Sequence, residues 1–190
     1  MTMKKTAVVL LSNRHVHLNR EALDILYGEG YELTEKKKLG FPIFAANETV
    51  TLAGPKGEIS NVRILGPLRP YVQAEILKAD NYVLGIDAPV KISGSLDLAP
   101  LTLIGPKGEM HLDSVALIAK RHIHMTDEQA AAWGFEKGQN VSVKIGGERG
   151  LIFENTAVVF TEIPEPTLHV DIEEGNASGL KNLDVVEILA

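Results

Sequence analysis

One motif occurs twice in the sequence, and it constrains the fold more than any other feature. Residues 14–18 read Arg-His-Val-His-Leu and are followed, after two positions, by Glu21. Residues 121–125 read Arg-His-Ile-His-Met and are followed, after two positions, by Glu128. Such internal similarity indicates one supersecondary unit used twice. We therefore expect two similar strand–turn–helix segments in the chain.

Each copy of the motif leads into a predicted helix. Asn19 has the side chain of a helix N-cap and precedes a predicted helix over Arg20–Tyr27. Thr126 and Gln129 form the capping-box pattern that opens a helix over Asp127–Trp133. Helical periodicity is scarce elsewhere, so the sequence predicts only two or three short helices.

Short runs rich in β-branched residues, bounded by Gly, Pro, Asn and Asp, recur along the whole chain. This pattern is typical of antiparallel barrels and sandwiches, so we expect a mainly β protein. The predicted strands are Thr6–Leu11, Thr49–Ala53, Val62–Leu65, Ala74–Ile76, Val90–Ser93, Leu101–Ile104, Ser114–Ala119, Val141–Ile145, Ala157–Phe160, Leu168–Ile172 and Val185–Leu189.

A second repeat, Thr-Leu-x-Gly-Pro-Lys-Gly-Glu, spans Thr51–Glu58 and Thr102–Glu109. Pro presets φ and Gly supplies a positive φ, so a tight hairpin turn is favoured over a phosphate-binding loop. The two repeats have different offsets, and a simple tandem duplication does not account for them. We expect two similar small β-barrels, the first formed by residues 1–13 and 120–190 and the second by the inserted residues 14–119.

The charge balance and the absence of cysteine exclude several classes of function. Nineteen Lys and Arg against 25 Asp and Glu give the 190-residue chain a formal net charge of −6, so no broad basic surface for nucleic acid is expected. The lack of cysteine removes disulfides, thiolate nucleophiles and Cys-type zinc sites. A bound metal must therefore be held by histidine and carboxylate side chains.

No apolar run approaches the roughly 18 residues that a membrane-spanning helix needs. The apolar run Ala7–Leu11 follows Lys4 and Lys5, but it is too short for a signal peptide and lacks a small-residue cleavage site. These features favour a cytoplasmic protein.

Four of the six histidines lie in the two His-x-His pairs. Side chains at i and i+2 of a strand project from the same face, so each pair can chelate one ion. Neutral imidazole is a good ligand for zinc and similar divalent metals. A single pair more often caps a turn or lines a polar patch, but two pairs in matched contexts favour metal binding by His15, His17, His122 and His124.

Other charged and polar residues have less specific patterns. His169 lies on a β-like alternation and is a candidate ligand, with Asp171 on the same face as a supporting partner. His111 follows a hairpin turn without a partner two positions away, so we interpret it as structural or exposed. Arg14 and Arg121 precede the His pairs and could serve phosphate binding or structure equally.

Arg69 lies in a Pro-rich loop, six residues before Glu75. This spacing could place a cation and a carboxylate ligand on one rim. The sequence contains no Gly-x-Gly-x-x-Gly, Walker A, Gly-x-Ser-x-Gly or His-Glu-x-x-His motif. Nucleotide-binding folds and the common hydrolases are therefore disfavoured.

Taken together, these motifs resemble the PduL-type phosphate propanoyltransferases, bacterial phosphotransacylases associated with microcompartment metabolism. The resemblance covers nearly the whole chain. Its markers, in order, are residues 12–18, 30–34, 48–50, 62–67 with Arg69, 73–75, 89–94, 121–126 and 169–171.

The resemblance implies two β-barrel domains with the active site between them. It also implies transfer of a short acyl group, propanoyl or acetyl, between coenzyme A and inorganic phosphate. Arg69 would bind the phosphate, and Ser93 matches a serine placed near the site. Two zinc ions are implied, with His15, His17 and Glu75 holding the first and His122, His124 and His169 holding a second, more open one.

The resemblance also implies a homodimer, with acyl-coenzyme A and phosphate as partners and no nucleic acid or membrane. The chain begins almost directly at its first predicted strand, without the amphipathic extension that delivers some relatives into microcompartments. A free cytoplasmic enzyme is therefore expected at least as much as one packaged in a microcompartment lumen.

Two other functions stay open at this stage. One is a metal-dependent hydrolase, in which an open zinc activates water against a thioester or acyl phosphate; dependence on coenzyme A separates it from a transferase. The other is a non-catalytic metal-binding module associated with microcompartments, which would tolerate substitution of Arg69. Burying Glu75 with five histidines would be costly without a metal, which counts against the module.

Overall fold

A computed structural model describes residues 4–40 and 42–189, and residues 1–3, 41 and 190 lie outside this description. The described chain forms two compact units. The terminal unit combines residues 4–13 with residues 120–189, and the inserted unit consists of residues 14–119. In the part described, no helix has the length and apolar character needed to cross a membrane.

Strands dominate both units, as predicted from the sequence. The described residues form, in chain order, β1 (Thr6–Ser12), β2 (His15–His17), α1 (Arg20–Tyr27), β3 (Glu35–Gly40), β4 (Ile43–Ala53), β5 (Glu58–Gly66), β6 (Gln73–Ile76), α2 (Asp80–Leu84), β7 (Val90–Lys91), β8 (Ala99–Ile104), β9 (Glu109–Ala119), β10 (His122–Met125), α3 (Asp127–Trp133), β11 (Asn140–Ile145), β12 (Leu151–Phe160), β13 (Thr167–Asp171), α4 (Ile172–Ser178) and β14 (Val185–Leu189).

Each unit contains one closed barrel of six strands. In the inserted unit the order is β4-β5-β2-β6-β9-β8, and β8 pairs back with β4. β3 and β7 extend this sheet beyond the barrel, through pairing with β4 and β9. In the terminal unit the order is β1-β13-β10-β12-β11-β14, and β14 pairs back with β1. The predicted fold class, a mainly β protein with two small barrels, is confirmed.

The two barrels have the same connectivity around the His-x-His strand. β2 pairs in parallel with β5 and antiparallel with β6. β10 likewise pairs in parallel with β12 and antiparallel with β13. The helix that follows begins as predicted in both cases, with Asn19 capping α1 and the Thr126 capping box opening α3.

The barrel interiors are filled by alternate strand residues, which leaves the histidines on the outer face. Val16 and Leu18 are fully buried in the core of the inserted unit, and Ile123 and Met125 are fully buried in the core of the terminal unit. Successive residues of a strand point to opposite faces. The His-x-His side chains therefore project away from both cores.

The two Gly-Pro-Lys-Gly turns cover the ends of two helices in the inserted unit. In the turn between β4 and β5, the N–H of Lys56 donates to the carbonyl of Leu84 in α2 at 3.1 Å. In the turn between β8 and β9, the N–H of Lys107 donates to the carbonyl of Leu26 in α1 at 3.0 Å. A Cβ on the glycine that opens either turn would collide with that carbonyl, so glycine is required.

These contacts explain why the second repeat has a different offset from the His-x-His repeat. Both turns lie in the inserted unit, whereas the two His-x-His motifs lie in different units. Both turns satisfy carbonyl groups at helix C-termini that would otherwise lack a partner.

Several predicted boundaries are wrong for local reasons. The strand pattern misses β3, because all six of its residues are exposed and four are charged. The strand predicted over Val90–Ser93 ends at Lys91, and Ile172 begins α4 instead of ending a strand. α2 and α4, with five and seven residues, are too short to produce helical periodicity in the sequence.

Candidate active site and metal-binding groups

Each unit carries one group of side chains that could hold a metal ion. They are the His/Glu group of the inserted unit, formed by His15, His17 and Glu75, and the three-His group of the terminal unit, formed by His122, His124 and His169. Within each group the potential ligand atoms all lie within 4.8 Å of one another. The structure thus brings together the same two sets of residues that the sequence resemblance implies.

Strand register places the third member of each group at the same position. Glu75 on β6 lies opposite His15 on β2, and His169 on β13 lies opposite His122 on β10. Side chains directly opposite each other on antiparallel strands have Cβ atoms about 4.5–5.5 Å apart. The antiparallel neighbour therefore adds one donor to each His pair.

The His/Glu group is almost closed to solvent. The side chains of His15, His17 and Glu75 are 11%, 4% and 13% exposed, and the two histidine Nε2 atoms lie 3.5 and 3.9 Å from carboxylate oxygens of Glu75. Burial, aided by the charges of His15 and Arg69, lowers the pKa of His17 to about 3. Burial alone would raise the pKa of Glu75, but the two histidines, the Ser93 hydroxyl and Arg69 together hold it below its usual value.

The three-His group is only partly buried. Its ring centroids lie 4.7 to 5.0 Å apart. Burial and the charge of His122 lower the pKa of His124 to about 4. Burial and the charges of its two neighbours lower the pKa of His169 to about 3. His124 and His169 are therefore neutral at physiological pH and keep a nitrogen lone pair for a ligand.

Hydrogen bonds orient two rings of the three-His group. Nδ1 of His122 lies 2.8 Å from the carbonyl oxygen of Lys120, which can only accept, so Nδ1 carries the proton of the neutral ring. Nδ1 of His124 lies 3.0 Å from the hydroxyl of Thr161. The Nε2 atoms of the two rings face each other at 3.1 Å.

Metal-ligating histidines usually have one ring nitrogen held by a polar neighbour while the other binds the ion. His122 and His124 of the three-His group have this arrangement. In the His/Glu group, His17 likewise bonds the backbone of Leu65. Three protein ligands that leave one position open are typical of catalytic zinc sites. Both donor sets therefore fit a divalent cation such as zinc.

Arg69 lies beside the His/Glu group, in the loop between β5 and β6. Its N–H donates to the carbonyl of Leu18 at 2.9 Å. Its Nη1 donates to the hydroxyls of Tyr71 at 3.0 Å and Ser93 at 3.2 Å. A guanidinium has five N–H donors, so those on Nε and Nη2 are left, within the described residues, for an anion.

Ser93 reaches the same place from the turn after β7. The next residue, Gly94, has a φ of +86°, which favours glycine, and its N–H donates to Oε1 of Gln73 at 2.7 Å. Nε2 of Gln73 donates to Ser93 Oγ at 2.7 Å and to Glu75 Oε1 at 3.0 Å. Sequence reasoning gives Gln73 no functional role, although its position two residues before Glu75 on one strand face could have indicated it.

The two arginines before the His pairs form ion pairs with helices. Arg14 donates to both carboxylate oxygens of Asp80 in α2, at 2.8 Å each. Arg121 pairs with Glu174 in α4. In both barrels this ion pair connects the start of the His-x-His strand to a helix.

Two other predictions have different outcomes. Asp171, expected to support His169, is the N-cap of α4, where its side chain accepts from the N–H of Glu174 at 2.8 Å. His111 is exposed on β9 and lies 3.0 Å from the hydroxyl of Thr102. The interpretation of His111 as a structural or exposed residue is confirmed.

Known proteins are similar to this chain over most of its length. The family model for phosphate propanoyltransferase matches residues 8–181, a range that contains both groups, Arg69 and Ser93. A phosphate propanoyltransferase of Rhodopseudomonas palustris is 48% identical over 180 residues, which are 94% of this chain and 80% of that protein. A Thermotoga maritima protein of the same name is 45% identical over 185 residues, 96% of this chain and 88% of that protein. One from Salmonella typhimurium is 43% identical over 175 residues, 90% and 83% of the two chains.

Proposed function

The chain belongs to the phosphate propanoyltransferase family and is therefore a phosphate acyltransferase, and on this premise we propose that two bound zinc ions support its reaction. The reaction interconverts acyl-coenzyme A plus phosphate with acyl phosphate plus coenzyme A, for a short acyl group such as propanoyl or acetyl. The observation that carries the proposal is the position of Arg69 beside the His/Glu group. A cation with directional donors next to a potential metal group suits phosphate.

We assign one zinc ion to each of the two groups. When bound, zinc would supply Lewis acidity that polarises the acyl carbonyl, stabilises the developing oxyanion and lowers the pKa of the coenzyme A thiol. The chain contributes neutral imidazoles in both groups and one carboxylate, Glu75, that offsets part of the charge of the ion. Histidine and carboxylate donors also accept cobalt or nickel, so the metal identity has to be measured.

Arg69 binds and orients the phosphate in this proposal. The hydroxyls of Tyr71 and Ser93 hold Nη1 and thereby fix the plane of the guanidinium. The remaining donors present a rigid fork to two phosphate oxygens, and a third oxygen is directed at the thioester carbonyl. A bond forms between that oxygen and the carbonyl carbon, the carbon–sulfur bond breaks, and coenzyme A leaves as the thiolate.

The acyl group passes directly between the two substrates in a ternary complex. The chain has no cysteine nucleophile. The Ser93 hydroxyl already accepts hydrogen bonds from Arg69 and Gln73, which occupies the lone pairs that a nucleophile needs. Rapid acid quenching during turnover, followed by intact-mass spectrometry, should give the unmodified chain mass. An acyl adduct on the chain would contradict direct transfer.

Release of free thiol from propanoyl-coenzyme A tests the proposed function. The purified protein is assayed with and without phosphate, as prepared, after stripping with a chelator, and after zinc is restored. Release that needs both phosphate and metal supports the proposal. Release without phosphate indicates a thioester hydrolase. No release from folded, zinc-loaded protein with propanoyl- or acetyl-coenzyme A favours a non-catalytic binding module.

We further propose a homodimer in the cytoplasm, either free or in the lumen of a microcompartment, on the strength of family membership. Light scattering of the purified protein gives the oligomeric state. Fractionation of cells that assemble microcompartments tests whether the protein sediments with the shells.

A further inference from the structure

The side chain of Gln73 is an amide buried next to the His/Glu group. It is 1% exposed, lies on β6 two residues before Glu75, and stands opposite His17 in the strand register. A buried amide is costly unless its polar atoms have partners. The partners of Gln73 are the residues to which the proposed function assigns roles.

The contacts of Gln73 fix the orientation of its amide. Nε2 donates to Ser93 Oγ at 2.7 Å and to Glu75 Oε1 at 3.0 Å, and Oε1 accepts from the N–H of Gly94 at 2.7 Å. The flipped amide would place a carbonyl oxygen against the Glu75 carboxylate and an NH₂ group against the N–H of Gly94. Both contacts would be repulsive, so the amide has one stable orientation.

This orientation determines what the Ser93 hydroxyl can do. Ser93 Oγ accepts one hydrogen bond from Gln73 and a second from Arg69 Nη1, at 2.7 and 3.2 Å. A hydroxyl has two acceptor positions and one proton. Because both acceptor positions are taken, the Ser93 hydroxyl can only donate its proton to a further acceptor. The carboxylate of Glu75 is one such acceptor.

We propose that Gln73 is a positioning residue that connects the metal ligand Glu75 to the phosphate anchor Arg69 through Ser93, and that it holds the Ser93 hydroxyl as a hydrogen-bond donor. The inference rests on the proposed function for the roles of Glu75 and Arg69. The continuous chain from Glu75 through Gln73 and Ser93 to Arg69 fixes the distance between a bound metal ion and a bound phosphate. Without the Gln73 amide, nothing in this chain of hydrogen bonds would couple the orientation of the Glu75 carboxylate to that of the Arg69 guanidinium.

The other barrel provides a matched control position. Thr167 on β13 lies opposite His124, as Gln73 lies opposite His17. The Thr167 hydroxyl donates to the carbonyl of Glu165 at 3.0 Å. Replacing Thr167 by Val therefore alters the equivalent strand position and leaves the hydrogen-bonded chain of the inserted unit intact.

The test compares Gln73→Met, which keeps the side-chain length and removes both donors, with Thr167→Val. Zinc affinity by chelator competition, kcat and KM for phosphate, and thermal unfolding are measured on the full chain. Loss of a polar partner of a metal ligand typically costs 10–100-fold in affinity or activity. We expect Gln73→Met to weaken zinc binding at one of two sites by about 10-fold and to raise the phosphate KM by about 10-fold. Thr167→Val should stay within about twofold of wild type on both measures.

A double-mutant cycle with Ser93→Ala separates positioning from general packing. If Gln73 acts through Ser93, the phosphate KM of the double variant should equal that of the worse single variant, because the second change removes a link already broken. Additive effects, or a Gln73→Met variant that unfolds earlier but keeps wild-type zinc affinity and phosphate KM when folded, would overturn the proposal.

Two further outcomes are decided by other measurements. If Gln73→Met does not fold, Gln73→Glu is tested in its place. The new side chain has the same shape as glutamine, but its carboxylate repels that of Glu75, so we expect weaker zinc binding. Unchanged zinc binding would contradict the proposal. If wild type releases no thiol with phosphate, the proposed function fails. The zinc affinities then still decide whether Gln73 orients Glu75, and equal affinities in wild type and Gln73→Met would reject that link.

Discussion

The His/Glu group and the three-His group stand at the same place in two barrels of the same connectivity, yet they differ in charge. In both, a His pair follows an arginine that is ion-paired to a helix, and the third donor comes from the antiparallel neighbour. That donor is a carboxylate in Glu75 and an imidazole in His169. The barrel thus fixes where the donors stand, and one residue decides the charge of the group.

The surroundings of the two groups differ as well. Beside Glu75, the Ser93 hydroxyl accepts from both Arg69 and Gln73, and Gln73 also donates to Glu75. The residue matched to Gln73 in the other barrel, Thr167, bonds a loop carbonyl. Under the proposed function, the same scaffold serves two tasks, and the anion is bound in the inserted unit.

Loss of the third donor should have the largest effect and tests whether both groups serve the reaction. With Glu75→Ala or His169→Ala, two donors remain, and we expect kcat/KM for phosphate-dependent thiol release to fall by roughly 10³-fold, as when an active site loses a strong electrostatic group. Metal analysis of the same samples should show one zinc fewer per chain. His111→Ala, at an exposed site, is the control. If His169→Ala keeps the wild-type kcat/KM, the three-His group is not needed for the reaction, and the His/Glu group alone supports it.

A second prediction contrasts two arginines of the inserted unit. Arg69→Ala should raise the phosphate KM by about 10²-fold. It should lower the midpoint of thermal unfolding less than Arg14→Ala does, because it removes only hydrogen bonds to the hydroxyls of Tyr71 and Ser93. Arg14→Ala removes the guanidinium that donates to both carboxylate oxygens of Asp80, a side chain that is only 4% exposed. This change should lower the free energy of unfolding by roughly 1–3 kcal/mol. Steady-state kinetics and denaturant unfolding measure the two effects. An Arg69 variant that is unstable but keeps its KM would make Arg69 structural.

The difference in charge and burial between the groups predicts an order of metal release. The His/Glu group has an anionic donor and side chains that are 4% to 13% exposed, whereas the three-His group has imidazole donors alone and is more open. We expect a chelator to empty the three-His group at about tenfold lower concentration. Zinc content is followed in His124→Ala and His17→Ala, each of which keeps one intact group. Release from both variants at the same concentration would mean that Glu75 adds no affinity.

The sequence predicts the repeated parts of this molecule well, because repetition raises a weak signal above chance. A single His-x-His pair is more often structural, but its second copy in a matched context favours metal binding at one or two sites. The core of each barrel is likewise predicted by short apolar runs. Local patterns mark Glu75 and His169 as candidate ligands, but only the resemblance assigns each to one His pair, since they meet the pairs through strand pairing.

The parts that the sequence does not predict depend on contacts between distant segments. Ser93 lies 20 positions from Gln73 along the chain, and no local pattern indicates their hydrogen bond. The roles of Arg14 and Arg121 stay open in the sequence for the same reason, since Asp80 and Glu174 are 66 and 53 positions away. The sequence also fails to predict α2 and α4, the helices that contain Asp80 and Glu174, because they are too short to show helical periodicity.

The smallest expected difference between the groups lies in how the stability of the metal-free protein depends on pH. His17 and His169 have pKa values of about 3, and His124 of about 4, against 6.5 for an unperturbed histidine. The unfolded chain therefore takes up protons at these positions before the folded chain does. The free energy of unfolding should fall as the pH drops below 6.5, through both groups.

Glu75 adds a second loss, in the inserted unit alone. Its pKa in the folded protein lies below the unperturbed value of 4.5, so its stabilisation is present above pH 4.5 and is lost as the pH falls through the folded pKa. Denaturant unfolding of metal-free wild type, His169→Gln and Glu75→Gln over this range separates the two effects. His169→Gln should flatten the profile from pH 6.5 down to about 3, whereas Glu75→Gln should flatten it only below pH 4.5. Flattening by Glu75→Gln in the upper range would contradict this assignment, because the carboxylate raises the pKa of His17 and its loss should not bring that pKa closer to 6.5.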